Sequence, residues 1–278
     1  MATLATEPLT ASIGAIVTGA SLRDCVADPQ LRDQVRAALW EHLVLAFPGQ
    51  FLDDETHLAV AGLFGEPFVH PIARALGRTE PMEEIADDAT KLPDRDGWHT
   101  DAPFLVEPPS VAILRAVTVP DSGGDTLWAN MYAAYDGLSD LMQRMLEGLE
   151  VAYPPQQGLF DYVEEHLGRE TADQVRELAG DGGVHPLVRT HPETGRRSLY
   201  YAEGFAGPIV GLTDDENAAL RALLRRAPTD PSIQCRWRWH EGDVVMWDEC
   251  ATQHFGAADH RGQARTMRRV MVAGKLPG

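Results

Sequence analysis

The residues best suited to chemistry are Trp98-His99-Thr100-Asp101. In an extended segment, residues two apart point to the same face. His99 and Asp101 would therefore present an imidazole and a carboxylate side by side. One more histidine completes two imidazoles and one carboxylate, a facial set that leaves adjacent positions open on octahedral Fe(II). Open positions let one metal hold a chelating cosubstrate and dioxygen together. Alone, the His99–Asp101 pair reads equally well as a strand-end hydrogen bond. His254 is the candidate third ligand, in Asp248-Glu-Cys-Ala-Thr-Gln-His254 after the strand-like Gly242-Asp-Val-Val-Met-Trp247. His260 is a rival, placed in the turn-like Asp259-His-Arg-Gly262. The chain has 10 histidines, so most must be bland. His42, His57 and His166 fall in helical patterns and read as surface or helix-end residues. His185 and His191 each precede a proline in turn-like sequence.

Two arginines add to this. Arg265 and Arg269 lie four apart in a final strand and share a face with Met267 and Met271. The other face carries Thr266, Arg268, Val270 and Val272, so the polar–apolar split is imperfect. A buried guanidinium needs an anionic partner, because an unpaired buried charge is very costly. Either two anionic ligands bind there, or the arginines join internal salt bridges.

The elements that must position these residues mix helices and strands without a βαβ rhythm. Residues 13–19 and 43–47 read as short strands. Residues 30–42 place Leu31, Val35, Ala38 and Leu39 at helical spacing. Asp53 can cap a helix through Leu63, and Asn130 one reaching about Leu149. Residues 71–97, rich in proline, acids and glycine, look like a long surface loop, a type of segment that is often functional. Residues 158–183 look helical and polar, and are a second candidate lid. Later, 187–190 and 198–202 bracket a hairpin turn. Thr213-Asp-Asp-Glu216 is a capping box opening a helix to about Arg226. Strands follow at 111–119, 233–239, 243–247 and 265–273. Early helices and late antiparallel strands predict an α+β chain with a mainly β sandwich or barrel core and helical decoration.

Composition sets the outer limits. The 278 residues are 44% hydrophobic and 24% charged, an ordinary globular mix with ample length for a core. Lys and Arg number 24 against 42 Asp and Glu, a net charge of −18. That argues against nucleic-acid and anionic-membrane partners, which need clustered positive charge. No apolar run approaches the roughly 18 residues of a membrane span. The first residues lack a signal-peptide pattern. The three cysteines, Cys25, Cys235 and Cys250, form no CxxC and suggest a reducing compartment. A soluble cytoplasmic protein is expected.

At this point the residues resemble the taurine dioxygenase-type (TauD/TfdA) family of Fe(II)- and 2-oxoglutarate-dependent oxygenases. The resemblance runs from about Ile13 to Ala273. It is carried by Trp98-His-Thr-Asp101, Gly123-Gly-Asp-Thr126, His185-Pro-Leu-Val-Arg-Thr-His-Pro192, Glu203-Gly-Phe205, and His254 followed by Arg265. It implies one oxygenase domain over 1–278, with a double-stranded β-helix, or jelly-roll, core and flanking helices. It implies His99, Asp101 and His254 as iron ligands, and Thr126 with Arg265 on the distal carboxylate of 2-oxoglutarate. Arg269 and His70 match contacts to the sulfonate in taurine-utilising members, and Ala102 the backbone nearby. The implied reaction consumes dioxygen, turns 2-oxoglutarate into succinate and carbon dioxide, and most often hydroxylates a C–H bond of a small anionic substrate. A homo-oligomer, dimer or tetramer, is also implied.

Departures narrow the expectation. Positions near the taurine amine hold a tyrosine and an asparagine in taurine users; here they match Ala73 and Arg95. A positive Arg95, or Arg74 in its place, would disfavour a free ammonium, so taurine itself is not expected as the preferred substrate. Glu249-Cys250 stands where many relatives have Asn-Arg. Desaturation or another oxidative tailoring step is an alternative outcome at the same iron. From another class, two histidines and a carboxylate also suit a catalytic zinc hydrolase, and a jelly roll can be a non-catalytic small-molecule binder. The inward arginines and the Gly-Gly-Asp-Thr126 segment have no evident job in a zinc hydrolase, and an intact ligand triad argues against the binder.

Overall fold

The computed structural model describes residues 3–75, 77–90, 97–260 and 262–278. The amino-terminal half runs β1 (Ala5–Pro8), β2 (Ala15–Thr18), α1 (Leu22–Ala27), α2 (Pro29–His42), β3 (Val44–Phe47), α3 (Asp54–Ala61), β4 (Pro67–Phe68), α4 (Pro71–Ala75), β5 (Met82–Asp87), β6 (Val111–Thr118) and β7 (Thr126–Asn130). Then come α5 (Met131–Asp136), α6 (Asp140–Leu146), β8 (Glu150–Tyr153), α7 (Gln157–Leu167), α8 (Arg169–Ala179), β9 (Gly183–Pro186), β10 (Val188–Thr190) and β11 (Arg197–Leu199). The chain closes with α9 (Asp214–Leu224), β12 (Gln234–Trp237), β13 (Val244–Asp248), β14 (Thr252–Gly256) and β15 (Arg265–Val272).

The larger sheet runs β1-β2-β3-β13-β6-β15-β4, with β5 pairing β15 beside β4. The smaller sheet is β12-β7-β14. Pairing is antiparallel except between β2 and β3. Side chains of both sheets meet in one buried layer: Ala112, Leu114, Val245, Trp247, Met267 and Met271 from the larger, Trp128 and Cys235 from the smaller. This is a β-sandwich, as the late strands predict, in the open jelly-roll form that the family resemblance implies. Alternate residues of the same strands, Val111, Ile113, Val244, Met246, Val270 and Val272, turn the other way and pack under α1–α3 with Leu22, Leu31, Val35, Leu39 and Val60. Each such fully buried aliphatic side chain contributes about 1.5–3 kcal/mol. Burial on both faces explains why β15 shows no clean polar–apolar alternation.

Local signals account for most boundaries. The Asp53 side chain accepts from Thr56 N to start α3, and Thr213 and Glu216 form the expected box at α9. The helix expected from Asn130 to Leu149 is instead two. Asn130 caps α5, Gly137 ends it, and the Ser139 side chain caps α6. The 158–183 segment is α7 and α8, separated at Gly168, whose φ is 87°. It is not polar all round: Phe160, Val163, Ala172, Val175 and Ala179 are buried. The 71–97 segment is also more regular than a loop, holding α4 and β5.

The bland histidines need correction. His57 is fully buried, not superficial, and its Nε2 lies 3.1 Å from Ile113 O. His185 and His191 are buried as well. The three cysteines are free and buried. Among the described residues no helix is long and apolar enough to cross a membrane.

Candidate active site

His254 sits in β14, opposite Trp128 of β7. On its other side it pairs with His99: His254 N–H donates to His99 O at 2.7 Å, and His99 N–H to His254 O at 3.1 Å. This bridge fixes the two imidazoles side by side, with ring centroids 4.1 Å apart. Asp101, two residues on, reaches both rings. Its Oδ1 lies 3.8 Å from His99 Nε2 and 3.9 Å from His254 Nε2. One donor atom from each of the three residues falls within 4.8 Å of the others, and all three residues are buried.

The protonation pattern suits a metal. His99 Nδ1 lies 2.8 Å from Gly97 O, a contact that needs the ring hydrogen on Nδ1. In the neutral ring Nε2 then carries the lone pair, 3.8 Å from Asp101 Oδ1. Burial, then the charge of His99, pushes His254 down to about 3, so its ring is neutral. Burial opposes ionisation of Asp101, but Arg269 and the two imidazoles outweigh it and hold the carboxyl well below the usual range. Two imidazoles and a carboxylate at one point form a donor set that fits a divalent transition metal with open positions.

Behind the triad lies Glu249, which is fully buried. Asp101 N–H donates to Glu249 Oε2 at 3.0 Å, Thr100 Oγ1 lies 2.6 Å from the same oxygen, and Trp247 Nε1–H donates to Oε1 at 2.6 Å. Burial, then the charge of Asp101, pushes the Glu249 carboxyl up to about 8. Ala102 follows Asp101 with φ 45°, a left-handed conformation that costs a non-glycine residue roughly 1–2 kcal/mol. The strain turns the chain sharply away just after the carboxylate.

A cavity of about 190 Å³ opens beside the triad, lined in part by His99, His254, Thr126, Arg265, Arg269 and Asp87. Thr126 begins β7 in the smaller sheet and Arg265 begins β15 in the larger, so they approach from opposite walls. Thr126 Oγ1 accepts from Trp239 Nε1 at 3.0 Å, and Arg265 Nε donates to Gly124 O at 3.2 Å. Gly124 has φ 71°, and a Cβ there would come within 3.1 Å of Arg265 Cδ and 3.2 Å of His260 Nδ1. The Gly-Gly-Asp-Thr126 segment therefore lets backbone run close beneath this arginine.

The two arginines resolve the choice between ligand and salt bridge differently. Among the described residues no carboxylate lies within ion-pair distance of Arg265. Arg269 is already paired: Nη1 donates to Asp101 Oδ2 at 2.7 Å, and Nη2 and Nε donate to Glu83 Oε2 at 2.7 and 3.1 Å. His70 is half-buried and feels the charges of Glu83, Arg269 and Asp101; burial, the largest influence, draws its pKa below the ordinary histidine value. Arg95 lies outside the described residues. The rival His260 is buried against the cavity, with Nε2 3.4 Å from Asp87 Oδ2 and no place in the triad.

Glu83 and Asp87 escaped sequence reasoning. They stand on β5 directly opposite the arginines, in register as Arg265↔Asp87, Met267↔Ile85 and Arg269↔Glu83. The signal was the alternation Glu83-x-Ile85-x-Asp87, hidden because two of its three inward positions are acids. Glu249 was noted only as a departure; its burial beside Asp101 depends on a contact across the sandwich.

Comparison with known proteins decides the class. Residues 5–271 match the model of the family described as taurine catabolism dioxygenase TauD, TfdA family. The chain belongs to this family. It is 34% identical over 274 residues to an alkylsulfatase of Acinetobacter baylyi, covering 96% of this chain and 84% of that one. It is 34% identical over 277 residues to an alpha-ketoglutarate-dependent sulfate ester dioxygenase of Pseudomonas putida, covering 98% and 90%. The crystal structure of a taurine dioxygenase from Burkholderia xenovorans superposes with a TM-score of 0.81 at 34% identity, covering 99% of this chain and 92% of that one. This TauD/TfdA-family chain is therefore a jelly-roll, 2-oxoglutarate-dependent non-haem iron dioxygenase that uses Fe(II), 2-oxoglutarate and dioxygen.

Proposed function

We propose that this dioxygenase oxidises a C–H bond of a small organic anion, most simply by hydroxylation, with His99, Asp101 and His254 as the iron ligands. The observation that carries the reading is the meeting of that buried triad with the cavity bearing Thr126, Arg265 and Arg269. The sulfate-ester activities in the names of two relatives support an anionic substrate. Iron and 2-oxoglutarate, once bound, supply the oxidising power; the chain supplies the geometry.

Arg265 and Thr126 hold the distal carboxylate of 2-oxoglutarate. Arg265 is the better anion partner because its guanidinium is buried with no carboxylate of the described residues in contact, and a charge-assisted fork rewards a carboxylate there. Arg269 keeps Asp101 ionised and oriented through the 2.7 Å contact, and with His70 and the Ala102 backbone lines the prime-substrate side. Trp98 and Phe255, ring centroids 5.8 Å apart, and Phe205, 5.8 Å from His99, supply apolar cover that keeps water off the reacting carbon. The 71–97 and 158–183 segments act together as the cover of the site within one domain, a role supported by the packing of α4 on α8.

A screen of sulfate esters, sulfonates, carboxylates and amino-acid derivatives, read by succinate release from 2-oxoglutarate, tests the proposal. One or more anions should raise succinate release well above the substrate-free rate. If only uncharged compounds do so, the substrate class is wrong.

A further inference from the structure

The group that should greet the substrate's anion already has an anion on it. Arg269 carries five N–H donors, and three of its contacts are made: two to Glu83 Oε2 and one to Asp101 Oδ2. The Nε–Nη2 edge, the pair of parallel donors best suited to a carboxylate or sulfonate, belongs to Glu83. This is not an incidental surface pair. Glu83 is directly opposite Arg269 in the β5–β15 ladder, and both side chains are largely buried. His70 senses the same charges, and burial draws its pKa below the ordinary histidine value.

We propose that Glu83 is a specificity-determining residue of the prime-substrate site: a resident carboxylate that holds the place of the substrate's anionic group and must be exchanged for it. The inference rests on the dioxygenase reading and deepens it. An anion entering beside an intact Glu83–Arg269 pair meets a like charge and finds the Nε–Nη2 fork taken, an arrangement that opposes binding. Glu83 can leave, because its side chain is 24% exposed and sits on β5, which among the described residues pairs only with β15. The substrate that succeeds must bring oxygens able to take the same two donors, a carboxylate or sulfonate-type group, and enough remaining binding energy to displace Glu83. Small alkyl anions with little else to bind are thereby rejected, and uncharged analogues cannot displace it at all.

The test uses the full chain loaded anaerobically with Fe(II) and 2-oxoglutarate, so that nothing turns over. Calorimetry compares wild type, Glu83→Gln and Glu83→Ser for propane-1-sulfonate, butyrate and the uncharged methyl propyl sulfone. Removing the resident charge should tighten both anions by about tenfold or more and leave the sulfone unchanged. Equal or weaker anion binding by both variants, or none detectable, overturns the proposal, as does an equal gain for the sulfone. Binding of 2-oxoglutarate to the Fe(II) protein is measured in the same samples. Its absence in wild type would defeat the dioxygenase reading instead, and its persistence in the variants shows that they are folded and their iron site intact. Two substitutions of different size guard against one of them failing to fold.

Discussion

Two buried clusters in this molecule have nearly the same composition and opposite uses. One is His99, Asp101 and His254; the other is His191, Asp248 and Cys250, whose potential ligand atoms also converge within 4.8 Å. The difference lies on the far side of each imidazole. His99 Nδ1 faces the carbonyl of Gly97 and so holds the ring hydrogen, which in a neutral His99 leaves the lone pair on Nε2. His191 Nδ1 instead accepts from the amides of Glu193 and Thr194, both at 3.1 Å. The hydrogen of a neutral His191 is therefore on Nε2, 2.8 Å from Asp248 Oδ2, in a close contact that is bent away from an ideal hydrogen bond. A protonated nitrogen cannot ligate a metal. Burial also pushes the Cys250 thiol up, well away from the thiolate a metal needs. The second cluster ties the β10–β11 turn to β13. The partner of Nδ1, a carbonyl for His99 and two amides for His191, separates the two histidines more than the residue types around them do.

Breaking each cluster should separate function from stability. Asp101→Ala should lower iron-dependent succinate formation by about a thousandfold or more, with the far-ultraviolet circular dichroism of the wild type. His191→Ala should keep iron binding but lose about 3–5 kcal/mol of stability, because it leaves Asp248 buried without its partner. Urea unfolding reads that loss, and an unchanged midpoint would mean the pair is not structural.

The comparison also shows what one sequence can display. The His99–Asp101 spacing was legible because a strand repeats every two residues, and His254 because its segment follows the strand-like Gly242–Trp247. The arginine pair was legible for the same reason. Their different fates were not, because Glu83 and Asp87 lie on a strand whose inward residues are acids, inside a segment that reads as loop. The true burial of His57 was hidden too: its helix, Asp54–Ala61, looks superficial until β6 packs against it. The break between α5 and α6 was written in Gly137-Leu138-Ser139, where a short stop-and-cap signal competed with an apolar pattern continuing through it.

Smaller effects sharpen the same contrast. Arg265→Ala should raise the 2-oxoglutarate concentration needed for half-maximal rate by about a hundredfold through loss of a charge-assisted pair. If only the prime substrate's affinity changes, the roles of Arg265 and Arg269 are exchanged. His57 offers a control away from the iron. Burial, opposed by its contact to Ile113 O, pushes its pKa down to about 4 from 6.5. Between those values the unfolded chain binds the proton first, so stability from this group is present above pH 6.5 and falls as pH drops towards 4, by up to about 3 kcal/mol. Denaturant titrations from pH 7 to pH 4 should show a shallower decline in His57→Gln than in wild type; parallel slopes would remove His57 from the account.

The most direct trial of the central claim, that the His99 cluster holds the metal and the His191 cluster does not, is anaerobic Fe(II) titration of wild type, His99→Gln and His191→Gln, read by bound iron per folded chain. Wild type and His191→Gln should each bind about one equivalent, and His99→Gln essentially none at the same free Fe(II). Stoichiometric iron in His99→Gln, or its loss from a folded His191→Gln, would contradict the claim.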